Sequence, residues 1–154
     1  MLALLETRIR TAKDKFIQLA DAVSEDRYDW RPMEGVRSFR EVFIHVAADN
    51  WAPLWMDVRA PDDAPVTRDA AALEGYQKQR LDRASTRREL ERSFDFILSA
   101  VDQTRGRLNQ RVMFGEREWQ IDQMWVALVT HMHEHLGQTI AYARANGIVP
   151  PWSE

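Results

Sequence analysis

Apolar residues recur with a helical step along most of the chain. Leu2, Leu5, Ile9, Ala12, Phe16, Leu19 and Val23 advance by alternating threes and fours, one continuous seam on a first helix. Ser24, Glu25 and Asp26 supply the residues of a short turn, and Arg31-Pro32 with Gly35 keeps the next stretch out of helix. Ser38-Phe39-Arg40-Glu41 has the form of a capping box, so a second helix is predicted to begin near Phe39 with Val42, His45, Asp49 and Ala52 on one face. Pro53 ends or kinks it. Ala60 to Arg68 carries Pro61 and Pro65 and reads as a loop, and Asp69 to Asp82 is helical in propensity. Thr86-Arg87-Arg88-Glu89 repeats the capping pattern ahead of the stripe Leu90, Phe94, Ile97, Val101 and Leu108, weakened at Gly106. Val112-Met113-Phe114 and Glu118-Trp119-Gln120 flank Gly115-Glu116 as a small hairpin or an irregular connection. The last helix is predicted from Asp122 to Asn146, with Gly147 as its terminator and Pro150-Pro151 beyond. Four long helices, short connections and no internal repeat predict one all-α domain over residues 1–154. The expected architecture is a four-helix bundle with a short extra helix or hairpin in its connections.

Composition narrows the classes of function. Hydrophobic residues are 45% and charged residues 29%, which excludes a disordered chain. There is no cysteine, so disulfides, thiolate metal sites and a cysteine nucleophile are excluded, and a reducing compartment is expected. The net charge of -3 shows no basic excess for nucleic acid. The cations between Lys78 and Arg92 alternate with Asp82, Glu89 and Glu91, a salt-bridged solvated face. Glu6 interrupts the short Leu2–Leu5 run, so it is not read as a signal peptide, and no stretch approaches the roughly 18 apolar residues of a membrane span. A soluble cytoplasmic protein with neither nucleic-acid nor membrane partners is the expectation. Six tryptophans are more than a small core readily hides, which predicts a homodimer.

The last helix carries the candidate chemistry. Ile121, Met124, Leu128, His131, His135, Gln138 and Tyr142 again alternate threes and fours, and two histidines and a glutamine occupy places where leucine or isoleucine would sit. Unpaired buried polar groups cost about 1–3 kcal/mol each, so such a pair calls for a partner. Residues four apart lie on one helix face, so the two imidazoles can ligate one ion. His45, in a similar position on the second helix, would complete a three-imidazole set with open positions, the pattern of a catalytic site. Read alone, His45 would be a hydrogen-bonded core residue. The set suits Zn, Ni, Fe or Cu. Asp49, one turn from His45, is a candidate acceptor for a ligating imidazole. His133 falls roughly 200° from His131 and should point elsewhere, to the surface or an interface. His131-Met132-His133-Glu134-His135 also fits H-x-x-E-H, which would make Glu134 a catalytic base, but no good downstream carboxylate ligand follows. Trp51 and Trp55, one turn apart, are either core or the wall of a substrate pocket.

His131-x-x-x-His135-x-Gly137-Gln138, the ending Tyr142-x-Arg144-x-x-Gly147-x-x-Pro150-Pro151, Trp30-Arg31-Pro32, Arg37-Ser38-Phe39, and Glu41 with His45 together resemble the DinB-like family of bacterial four-helix-bundle proteins. The resemblance implies an up-down-down-up bundle, a divalent metal on His45, His131 and His135, and a homodimer. It also implies, for some members, transfer or isomerisation dependent on a low-molecular-weight thiol. Leu136 departs from the family, which often has Arg there. The leading expectation is therefore a metalloenzyme, a thiol-dependent S-transferase or a hydrolase, acting on a small electrophile. The alternatives are a non-catalytic metal-binding or interaction module and a metallopeptidase using His131, Glu134 and His135.

Overall fold

A computed structural model describes residues 1–153. Among them are five helices and one two-stranded hairpin: α1 (Leu2–Ala22), α2 (Phe39–Asp49), α3 (Ala70–Gln77), α4 (Arg83–Gln103), β1 (Arg111–Phe114), β2 (Arg117–Gln120) and α5 (Ile121–Ala145). Single 3₁₀ turns follow α1 at Glu25–Arg27 and α2 at Ala52–Met56. α1 and α2 each pack against both α4 and α5, and α2 also carries α3.

Local chemistry accounts for most boundaries. The Ser38 side chain accepts from the Glu41 amide, and the Glu41 carboxylate accepts from the Ser38 amide at 2.7 Å, so α2 starts where the capping box predicts. Pro53 falls at the start of the second 3₁₀ turn, where its missing N–H costs little, and so ends α2. Gly147, at φ 71°, closes α5 in the left-handed conformation that favours glycine. The hairpin is real: Arg111 pairs with Gln120 and Phe114 with Arg117, around a turn in which Gly115 takes φ 62°.

Two expectations are corrected. The Thr86–Glu89 pattern caps nothing. Asp82 is the N-cap of α4, accepting from the Ser85 amide at 2.7 Å, and Thr86 is a buried residue inside the helix. The helical stretch expected from Asp69 to Asp82 stops at Gln77, because Asp69 and Asp82 each act as a cap and the residues before Asp82 connect two helices.

The core is built by the seam of α1, by the Leu90–Val101 stripe of α4 and by α2, which is buried nearly all round. Phe16 binds these three helices together, with its ring 6.5 Å from Phe43 and 5.9 Å from Phe94. A helix covered on almost every side brings the residues along its middle into the interior, polar ones included. His45 is therefore buried.

On α5 a buried line runs through Ile121, Trp125, Val129, Met132, Leu136, Thr139 and Ala143, with Met124 and Tyr142 of the expected seam buried beside it. This is one position round from the seam expected from the sequence. The larger side chains Trp125, Met132 and Leu136 take the centre of the apolar face. His131, His135 and Gln138 then fall on its border, half-buried, facing α2. The Leu136 position, where the family often has Arg, is core.

Candidate metal centre

α2 and α5 bring four potential ligands together. One nitrogen from each of His45, His131 and His135 and one Asp49 carboxylate oxygen all lie within 4.8 Å of one another. The three rings meet edge-on, with centroids 4.4 to 5.2 Å apart. His45 and Asp49 are one turn apart on α2, and His131 and His135 are one turn apart on α5.

The outward nitrogens of two imidazoles are tied. His45 Nδ1 lies 3.2 Å from Gln77 Oε1, and His135 Nδ1 lies 2.8 Å from Gln138 Oε1. The Gln138 amide nitrogen donates to the Tyr142 hydroxyl at 2.8 Å, which donates in turn to the Arg37 carbonyl at 3.1 Å. Amide oxygens accept, so both Nδ1 atoms carry the proton and both Nε2 atoms present lone pairs to the cluster. His135 Nε2 then faces His131 Nε2 at 3.0 Å.

Asp49 Oδ2 is buried and receives no aligned hydrogen bond, although it lies 2.9 Å from His131 Nδ1 and 3.2 Å from His45 Nε2. An orphaned carboxylate oxygen beside converging imidazole lone pairs is a donor set lacking a positive charge. A divalent cation fits it. Without one, a second proton on His131 is the cation that suits both neighbours.

Protonation follows the same logic. Burial holds His45 and His135 toward the neutral form that ligation requires. The Asp49 carboxylate pulls His131 the other way and raises its pKa. The Arg37 charge disfavours the imidazolium form of all three. His133, on the α1 side, is lowered chiefly by burial. Three histidines lowered in the fold bind fewer protons than the unfolded chain below 6.5, so acid weakens the fold through them. His131, being raised, stabilises below 6.5, and that contribution is lost as pH rises through its folded pKa. Three outweigh one. Thermal melts in chelator should show lower stability at about pH 5.5 than at about pH 7. A melting temperature that rises on acidification would contradict this.

Asp49 is at the cluster, as its spacing from His45 suggested. His133 is half-buried against α1 rather than at the free surface, its Nε2 buried without a partner. Glu134 is exposed and lines a surface hollow with Arg8, Val129, Thr130 and His133, outside the cluster. Trp51 and Trp55 are core and wall no pocket at the histidines: Trp51 stacks on Phe96 at 4.5 Å and Trp55 meets Phe114 edge-on at 5.2 Å. Of the other four tryptophans, Trp125 is wholly buried and Trp30, Trp119 and Trp152 are partly buried against the core, so tryptophan count gives no reason for a dimer.

Gln77 was not foreseen. It sits at the end of a short helix outside every apolar seam, and nothing in its spacing connects it with His45. Beside His45 opens a hollow of about 580 Å³, which Gln77 and Arg37 also line. A larger hollow of about 730 Å³, between the 59–63 segment and α4, holds none of the cluster residues.

The model of the DinB superfamily matches residues 8–139, and the chain belongs to that family. Among solved structures it is similar to a DinB-like protein, YjoA, from Bacillus subtilis, with TM-score 0.66 and 16% identity over 95% of this chain and 93% of that one. That likeness is one of fold. Comparison with curated proteins finds no match. No helix among the described residues is long and apolar enough to cross a membrane.

Proposed function

We propose that this chain is a divalent-metal enzyme in which His45, His131 and His135 hold one ion and leave positions open for a ligand. The observation that carries the reading is the convergence of three imidazole nitrogens around a buried carboxylate oxygen that receives no aligned hydrogen bond. Gln77 and Gln138 fix the tautomers of His45 and His135, and Asp49 serves His131 as outer acceptor or joins as a fourth ligand. A divalent ion on neutral imidazoles supplies Lewis acidity, lowering the pKa of a thiol or water and polarising an electrophile. Asp49 is the carboxylate at the cluster, and an exposed Glu134 outside it argues against a metallopeptidase. The class of reaction we favour is thiol addition to a small electrophile, with hydrolysis second. The proposed frame is the up-down-down-up bundle, supported by the packing of α1 and α2 on both α4 and α5. Dimer formation and a cytoplasmic location belong to the same proposal, and exposed Leu4 and Val126 offer apolar positions for a dimer contact.

Metal-reconstituted protein assayed with chlorodinitrobenzene-type and maleyl-type electrophiles and several biological thiols should show acceleration that His131→Ala lacks. Equal rates with every thiol would overturn the transferase reading. The Asp49–His131 contact at 2.9 Å favours a second reading, a metal-free imidazolium–carboxylate pair in a non-catalytic module.

A further inference from the structure

We infer that Arg37 anchors a carboxylate of the small molecule that this site takes, so that the ligand is an organic anion held between Arg37 and the three-histidine cluster. The inference rests on the metal reading above and adds the substrate class to it.

The hollow that touches His45 is strongly charged, and its charges are nearly all spoken for. Arg31 pairs with Glu41 at 3.2 Å, Lys78 with Glu74 at 2.6 Å and Arg80 with Asp29 at 2.7 Å. Arg40 is buried and held by Asp29 at 2.9 Å, by Glu25 and by the Leu81 carbonyl. Among the described residues Arg37 alone of the cations lining this hollow has no ion pair and no side-chain hydrogen bond.

The backbone that carries Arg37 is nevertheless fixed. Its carbonyl accepts from the Tyr142 hydroxyl at 3.1 Å, and the next residue is the Ser38 cap of α2. Tyr142 is itself clamped edge-on by Trp30 and Phe39, with centroids 5.4 and 5.5 Å away. The chain Arg37–Tyr142–Gln138–His135 thus ties the base of a free guanidinium to one of the proposed ligands. A rigid base under an exposed, unpaired guanidinium is an anchor for a charge from outside the chain.

A guanidinium fork matches one carboxylate in a bidentate pair. A single unpaired cation suits a monoanionic group better than a phosphate dianion. Seven residues separate the Ser38 cap from His45, or roughly 10 Å at 1.5 Å per residue. The Arg37 and His45 side chains both line the hollow, so a molecule of a few carbon atoms is the size that would reach from one to the other.

The test uses cobalt-loaded protein and two probes that chelate an open metal site through the same group. One is acetohydroxamate, which is uncharged away from the metal. The other is the monohydroxamate of succinate, which adds a carboxylate. Affinities are read from the cobalt absorption spectrum. The wild-type protein should prefer the carboxylate probe by about tenfold or more. Arg37→Gln should abolish that preference while leaving cobalt content and acetohydroxamate affinity unchanged, and Arg37→Lys should retain part of it. Lys78→Gln, which removes a cation already paired with Glu74, should keep the preference in full. Equal affinity for the two probes in wild type, survival of the preference in Arg37→Gln, or its loss in Lys78→Gln would overturn the anchor. Failure to take up cobalt, or cobalt that neither probe perturbs, would instead overturn the open metal site on which the anchor depends.

Discussion

Alanine at His131 or His45 should cost the protein its ion. Loss of an outer hydrogen-bond partner commonly weakens metal binding 10–100-fold, and loss of one of three ligands should exceed about 100-fold. Elemental analysis after reconstitution and gel filtration should give one divalent ion per chain in wild type and close to none in either variant. His133→Ala and Glu134→Ala should retain the ion, because His133 lies on the α1 side and Glu134 is exposed outside the cluster. Gln138→Ala should fall between, weakening affinity without abolishing it, since it frees the tautomer of His135 but leaves the ring. Full retention by both His131→Ala and His45→Ala would show that the imidazoles converge for some other reason.

Trp51→Ala should be the most damaging single change to stability among the residues discussed. The ring is wholly buried and stacked on Phe96, with no part in the cluster. Truncating such a residue leaves a large cavity and costs about 3–5 kcal/mol. In a domain of this size that is roughly 6–20 °C of melting temperature. Trp51→Phe should cost less, because it keeps part of the stacking area and removes an indole N–H that makes no aligned hydrogen bond. Urea denaturation of the metal-free proteins measures both. If Trp51→Ala lost less than about 1 kcal/mol, the side chain would be a pocket wall after all.

The pair His131 and His135 could be read from the sequence because four-residue spacing on a helix has only one geometric meaning. The pairing with His45 was legible in part, since a histidine on a second apolar face had few other places to go. The rotation of α5 was not legible. An alternation of threes and fours fits two adjacent stripes on a wide apolar face, and only the packing of Trp125, Met132 and Leu136 decides which is central. The histidines therefore sit on the core's border, and His131 keeps 42% of its side chain exposed. The burial cost used to single it out is correspondingly smaller than the seam implied. Boundaries fixed by a local bond, such as the Ser38–Glu41 box, were readable. The Thr86 box was not, because Asp82 competes for the same helix start and lies nearer the preceding turn. Gln77 and the unpaired state of Arg37 depend on which side chains meet across the fold, and no spacing encodes that.

The central claim is that His45, His131 and His135 hold one ion together. Diffraction from crystals of the metal-reconstituted protein, collected at the absorption edge of the added metal, tests it most directly. The account predicts one anomalous peak per chain, about 2.0–2.2 Å from a nitrogen of each of the three imidazoles, with at least one position left for solvent. A peak elsewhere on the chain, or three imidazoles around no peak at all in fully loaded crystals, would contradict it.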